Sequence, residues 1–258
     1  KDKLEYKDAL SKAQKLGYAE SNPASDINGD DVASKLKILA ALSFNSFINN
    51  KSILIEGIKD IDQTDINNAN HLGYKIKLVG IAEIVNNKII QRVHPALIKR
   101  NSHIAKINGV LNAVIAESKP VGQTVLQGEG AGPGPTTSSL ISDLCSVLRG
   151  NIKFSFVVPN KKRNSALFES INDKKFNVYL RLDVKDKHGI LSDIAKVMAK
   201  NKVSIKRLIQ NPTENKKNAS IIIITHHAKN SSLVKVVSVL KNKKYTVNKP
   251  KLIRIEDI

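Results

Sequence analysis

Residues 185–210 read KDKHGILSDIAKVMAKNKVSIKRLIQ. The spacing predicts a turn at Asp186–Gly189, an amphipathic helix over 190–200 and a strand over 203–210. A strand at 177–184 comes before it. After it come a polar turn, NPTENKKN (211–218), a strand at 219–225, a helix at 231–241 and a last strand at 246–255. That order is βαββαβ, a small ferredoxin-like sandwich.

Upstream the grammar differs. Ala9, Leu10, Ala13 and Leu16 recur at helical intervals, with Gly17 as the expected stop. A polar loop follows. Asp30 is the expected cap of a second helix, about 31–44, with Val32, Leu36, Leu39 and Ala40 on one stripe. A strand-like SILIEGI (52–58) leads to a helix opened by Thr64 and closed by Gly73. KIKLVGIAEIVNNKIIQRVHP (75–95) reads as a hairpin turning at Asn86-Asn87. Strands at about 110–117 and 121–127 run into a Gly-rich loop and a helix with Thr136 or Thr137 near its cap. The expected class is α+β: a mixed or antiparallel sheet with helices on one face, then the βαββαβ unit. Residues 151–175, rich in Lys, Asn and Ser, read as a linker between units at 1–150 and 176–258.

Composition bounds the function. The 258 residues carry a formal charge of +19, but arginine supplies only 7 of the 42 basic residues and the lysines are spread along the whole chain. Aromatics for base stacking are scarce, and no helix-turn-helix, RRM or zinc pattern appears. The charge therefore reads as solvated faces, with no specific nucleic acid as partner. The apolar runs are too short to span a bilayer. Cys145 is the only cysteine, so no internal disulfide can form, and a reducing, cytoplasmic setting is the default. The text opens in mid-helix, without methionine, and reads as a piece of a longer polypeptide.

The acids are not spread. Glu20, Asp26, Asp30 and Asp31 fall within GYAESNPASDINGDDVASK (17–35), which ends on Lys35. Asp31 and Lys35 are four apart and share a helix face. Taken alone, that is an ordinary surface ion pair. Glu20 and Asp26, however, have no nearby cation in sequence, which suggests a site for a positive group. The loop lacks the D-x-D-x-D-G spacing of a calcium site, so an α-amino group suits it better than a metal.

The full string, A-x3-G-Y-A-x2-N-P-x2-D-I-x-G-x-D-x3-K from Ala13 to Lys35, resembles the signature of homoserine dehydrogenases at every position. HPALIKRNSHIAKINGVLNAV (94–114) and GEGAGPGPTTSSLISDL (128–144) resemble later blocks of that family, in the same order. The resemblance covers residues 1–150. It implies reversible hydride transfer between NADP or NAD and L-aspartate 4-semialdehyde, giving L-homoserine. It also implies that Glu20 and Asp26 grip the substrate, that Tyr18 lines the pocket and that Lys35 serves proton transfer, oriented by Asp31. Gly128, Gly130, Ala131 and Gly132 match the loop that faces the nicotinamide end of the cofactor. The rest of the cofactor belongs to a Rossmann domain that comes first in the family and is expected to be missing from this chain. The helix after the loop packs on that domain in the family, so its apolar face, with Leu140, Ile141, Leu144 and Leu148, is expected to lack a partner in this chain. Cys145, in the same stripe, is expected to be a buried, inert thiol.

Residues 176–258 resemble an ACT domain. D-x-x-G-I-L, with Asp186, Gly189, Ile190 and Leu191, matches its ligand-binding turn, and Gln210 is a second expected contact. The resemblance implies feedback by threonine and a homodimer or higher homo-oligomer. The alternative reading is a non-catalytic fragment that only binds amino acids.

Overall fold

The computed structural model describes residues 6–15, 22–47, 53–151, 164–165, 167, 169–212 and 217–258. Helix α1 (Tyr6–Lys15) is followed by a short α2 (Ala24–Asn28) and by α3 (Asp30–Phe44). Strands β1 (Ser46–Phe47) and β2 (Ile53–Ile55) precede α4 (Gln63–His71). Strands β3 (Tyr74–Val85) and β4 (Lys88–Lys99) form a long hairpin. After α5 (His103–Lys106), a second hairpin of β5 (Leu111–Ser118) and β6 (Gly122–Glu129) leads into α6 (Pro133–Leu148). Strand β7 (Asn164–Ser165) pairs in parallel with β1. The remaining elements are β8 (Lys175–Lys185), α7 (Ile190–Lys200), β9 (Ile205–Pro212), β10 (Asn218–Thr225), β11 (Ala228–Lys229), α8 (Asn230–Lys241) and β12 (Lys251–Glu256).

The main sheet is mixed, in the order β2-β4-β12-β8-β10-β9, with β3 on the far edge of β4. Strand β4 joins the two halves. Its inner edge holds β2 along Gln91–Val93 and then β12 along Ala96–Ile98, both parallel. The last strand of the chain is therefore hydrogen-bonded to the first half on one side and to β8 on the other.

Side-chain alternation sorts the core by face. Val93 packs with Ala33 and Leu36 of α3. Leu97, on the same face of β4, joins Ala69 of α4 and Tyr179, Ile222, Ile253 and Ile255 of the second half. Helix α4 thus covers the back of the βαββαβ sheet. On the opposite face Val178, Leu180 and Leu182 pack with Ile194 and Met198 of α7 and with Leu233, Val236 and Leu240 of α8.

The first hairpin turns at Asn86 and Asn87, with φ of 51° and 62°. Two successive positive values make the type I′ turn that matches strand twist, and asparagine tolerates them better than other side chains. Three helix starts differ from the sequence reading. Asp30 is the first residue of α3 and makes no cap bond; Gly29, at φ 87°, holds the cap position. Helix α4 is capped by Asp62, not Thr64, in a capping box with Asp65: the Asp65 amide donates to Asp62 Oδ1 at 3.0 Å. Gly132 takes the cap position of α6 with Pro133 behind it, and Thr136 instead donates its hydroxyl to the Gly132 carbonyl. The stretch read as a linker contains β7, and the Ile89 amide donates to the Leu167 carbonyl.

Helix α6 has no buried residue, and Leu140, Leu144 and Leu148 are 67%, 52% and 77% exposed. Its apolar face is open to solvent in the chain by itself. Cys145 is half-buried rather than buried, since the stripe it shares stays uncovered.

Candidate active site

Helices α2 and α3 are held on the sheet by backbone approach. The Ile58 amide donates to the Ile27 carbonyl at 2.9 Å, so the loop after β2 clamps α2. Gly57 makes this possible: a Cβ there would stand 2.2 Å from the Ile27 carbonyl oxygen. Next comes Gly29, whose left-handed backbone turns α2 into α3. Ala33, Leu36 and Ala40 then bury one stripe of α3. Asp31 and Lys35 stand one position before Val32 and Leu36, at the rim of that stripe.

That placement brings Asp31 and Lys35 together. The Lys35 ammonium donates to Asp31 Oδ2 at 2.7 Å, with the lysine side chain 64% exposed. The pair stands on a helix seated by one buried stripe, and its tip is open. Asp26 is exposed on α2. Tyr18 and Glu20 lie outside the described residues. Asp30 takes another direction: with Asn28, Glu56, Val234 and Arg254 it lines an open cleft of about 700 Å³ between the two halves.

Gly128 lies opposite Asn112 in the β5–β6 ladder, which ends at the exposed Glu129 opposite Leu111. The Gly130 amide donates to the Val110 carbonyl at 3.3 Å, and Gly132, at φ 109°, starts α6. A Cβ at Gly130 would stand 1.6 Å from the Asn112 amide nitrogen, whereas at Gly128 it would meet nothing within 4 Å. The backbone is thus open at Gly128 and covered by the Asn112 side chain at Gly130. Among the described residues no hydrogen bond or ion pair joins it to Asp26, Asp31 or Lys35.

In the second half Gly189, at φ 83°, caps α7, and the first α7 amides point past it. Ile190 is buried and Leu191 is 40% exposed. The Asp186 amide donates to the Lys217 carbonyl at 2.9 Å. Gln210 lies opposite Ile221, which lies opposite Leu182. It is therefore two strand spacings from β8, about 10 Å, and four residues back along that strand from Asp186. Within the chain Gln210 does not reach the α7 turn.

The sequence reading missed three buried ionic clusters that join the halves. In the first, Arg92 donates to Glu256 through Nε (2.7 Å) and Nη2 (3.0 Å), and Glu83 and Lys174 extend the cluster. His94, fully buried, places Nε2 3.1 Å from Glu256 Oε1. In the second, Arg181 of β8 makes a two-pronged bond to Asp65 of α4, at 2.8 and 3.1 Å, and also reaches Asp62 and Asp183. Tyr179 donates to the same Asp65 at 3.1 Å. In the third, Arg254 pairs with Glu56 and Asn230. Arg92 and Arg254 both lie over the Phe176 ring, 5.6 and 5.5 Å from its centroid.

Glu256 has a testable consequence. Burial pushes its carboxyl up, but bonds from His94 and Arg92 outweigh this and hold it down at about 2, below the ordinary 4.5. A depressed carboxylate stabilises the fold fully above its unfolded value and loses that contribution as the pH falls towards the folded one. Unfolding free energies from urea titrations between pH 5 and pH 2 are expected to drop by roughly 3 kcal/mol more in the wild type than in Glu256→Gln. Parallel slopes for the two proteins would remove Glu256 as a cause.

Comparisons with known proteins agree with this architecture. Residues 1–145 match the family model described as homoserine dehydrogenase, and residues 178–244 match the ACT domain. The homoserine dehydrogenase of Helicobacter pylori is 37% identical over 259 residues, which take in 100% of this chain and 61% of that protein. That of Bacillus subtilis is 36% identical over 232 residues, which take in 88% of this chain and 53% of that protein. The crystal structure of a homoserine dehydrogenase from Thiobacillus denitrificans superposes with a TM-score of 0.87 at 33% identity, covering 99% of this chain and 59% of that one. The chain therefore spans between 53% and 61% of the length of these relatives. Among its described residues no helix is long and apolar enough to cross a membrane. With a family model that spans more than half of it and a fold shared along its whole length, the chain belongs to the homoserine dehydrogenase family and carries an ACT domain.

Proposed function

We propose that this chain supplies the substrate-binding, proton-transferring and regulatory parts of an NAD(P)-dependent homoserine dehydrogenase. The reaction is the reversible reduction of L-aspartate 4-semialdehyde to L-homoserine. The observation that carries the reading is the Asp31–Lys35 pair, set at 2.7 Å on a helix seated by Ala33, Leu36 and Ala40, inside the range 1–145 that matches the family. The proposed division is a catalytic and dimerising unit at 1–150, a linker at 151–175 and the ACT unit at 176–258.

The nicotinamide cofactor, when bound, supplies or takes up the hydride. Its nicotinamide end would lie against Gly128, Gly130, Ala131 and Gly132, where open space beside the Gly128 backbone supports the reading. The chain's own work is at the substrate. Glu20 and Asp26 hold the cationic amine, and Tyr18 lines the same pocket. Lys35 faces the oxygen that becomes the alkoxide, stabilises its charge and gives it a proton; in the reverse direction it accepts one. Asp31 keeps the ammonium in place. Threonine, as feedback effector, binds at the α7 turn with Asp186, Gly189, Ile190 and Leu191. Gln210 reaches that ligand from a second protomer, because within one protomer it stands about 10 Å from β8 across β10 and four residues further along from the turn.

The test is direct. A complete polypeptide carrying this chain is expected to reduce NAD or NADP with L-homoserine, and threonine is expected to inhibit it. Absence of turnover with both cofactors would sink the enzymatic reading. Threonine binding by calorimetry without turnover would favour the amino-acid-binding alternative.

A further inference from the structure

Strand β2 leaves the inner edge of β4 just after Val93, and β12 takes over that edge at Ala96. The hand-over is closed by one side-chain cluster. Arg254, 1% exposed, donates to Glu56 at 2.6 and 3.1 Å and to Asn230 Oδ1 at 3.0 and 2.9 Å. Asn230, the first residue of α8, is itself 3% exposed. Glu56 is bonded through its amide to the Val93 carbonyl at 2.8 Å, so its backbone is fixed as well.

The residues after Glu56 point across the sheet. Gly57 stands against Ile27 and Asn28, and Ile58 donates to the Ile27 carbonyl. One residue beyond Asn28, Gly29 starts the turn into α3, with Asp31 and Lys35 on its first turns. A continuous path of bonds and contacts thus runs from the start of α8 through Arg254 and Glu56 to the helix that bears the candidate proton donor.

We propose that Arg254 and Glu56 are positioning residues: their two-pronged pair sets the placement of α2 and the start of α3, and ties it to helix α8 of the ACT unit. A bidentate guanidinium–carboxylate pair has one favoured geometry, unlike an ammonium contact. It is buried on the arginine side, so it resists rearrangement. The neighbouring charges are accounted for: Glu83 and Glu256 serve Arg92, and Asp60 pairs with Lys249. Glu56 is therefore the carboxylate on which Arg254 depends. The catalytic part of this inference rests on the function proposed above; the structural part does not.

Two measurements test it. Hydrogen exchange on the chain as it stands is compared for wild type, Glu56→Ala and Glu56→Asp. Glu56 is the residue to change because it is half-exposed, whereas removing Arg254 threatens the core. The Ile58 and Ala33 amides are expected to exchange about ten-fold faster in Glu56→Ala, with Glu56→Asp between it and wild type. The Ile223 amide, central in β10, is expected to stay within about two-fold. Unchanged exchange at Ile58 and Ala33 overturns the proposal, and so does a rise that reaches Ile223 equally. In a complete enzyme, kcat is expected to fall about ten-fold in Glu56→Ala with KM for homoserine little changed, and to recover in Glu56→Asp. An unchanged kcat, or a loss confined to KM, overturns the catalytic part. If the wild type turns over no homoserine, the functional reading falls and the exchange result alone decides the structural part.

Discussion

Lys35→Ala is expected to lower kcat for homoserine oxidation by about 10²–10⁴-fold in a complete enzyme carrying this chain, with a much smaller change in KM. The side chain is 64% exposed and packs on no core cluster, so its loss leaves α3 seated on Ala33, Leu36 and Ala40. The ion pair itself contributes below about 1 kcal/mol to folding. A large kinetic effect with an unchanged urea midpoint therefore separates chemistry from stability. Asp31→Asn is the companion variant. It keeps the side-chain shape and an oxygen acceptor but removes the charge, so its kcat is expected to fall between wild type and Lys35→Ala. An unaltered kcat in Lys35→Ala would take this lysine out of the proton transfer, and the 2.7 Å pair would then be a surface ion pair of the ordinary kind.

How far the sequence leads depends on whether the deciding interaction is local. The hairpin at Asn86-Asn87, helix α7 and the i, i+4 pair of Asp31 and Lys35 are set by residues within a few positions of each other, and all three are legible. Helix starts are less so. Asp30 and Thr64 have good capping side chains, yet Gly29 and Asp62 hold those positions, because Gly57 draws α2 close and because Arg181 claims Asp65. The insertion of β12 beside β4 is not legible at all. It pairs residues about 160 positions apart, and no local pattern encodes the partner of an edge. There was one signal: Arg92, Arg181 and Arg254 each interrupt an apolar strand. A charge at an inward-facing strand position must be paired, and three such arginines predict three carboxylate partners elsewhere in the chain. Within the site, the legible part was the Asp31–Lys35 pair; the position of Gln210 relative to the α7 turn depends on strand order, which only the sheet reveals.

Asp65→Ala is expected to be the most destabilising single change in the second half's attachment, by about 3–5 kcal/mol. Asp65 is fully buried and has three tasks. It closes the capping box of α4, it accepts from Tyr179, and it takes both prongs of Arg181. Alanine ends all three and leaves a guanidinium with 6% of its side chain exposed beside Asp62 and Asp183 alone. Those two neighbours are more exposed than Asp65 and lie on the outer side of the cluster, so they replace only part of its charge. Asp65→Asn discriminates between the tasks. Asparagine has one oxygen, which can replace Oδ2 and keep the bond from the Asp62 amide, but its NH2 then stands where Oδ1 accepted from Tyr179 and Arg181, and it offers the guanidinium no charge. If the ion pair dominates, Asn and Ala should shift the urea midpoint by similar amounts; if the cap dominates, Asn should recover most of the loss. A loss below about 1 kcal/mol in Asp65→Ala would mean that Asp62 and Asp183 hold Arg181 without it. In that case α4 would be bound to the βαββαβ sheet by the apolar contacts of Ala69 and Leu72 rather than by charge.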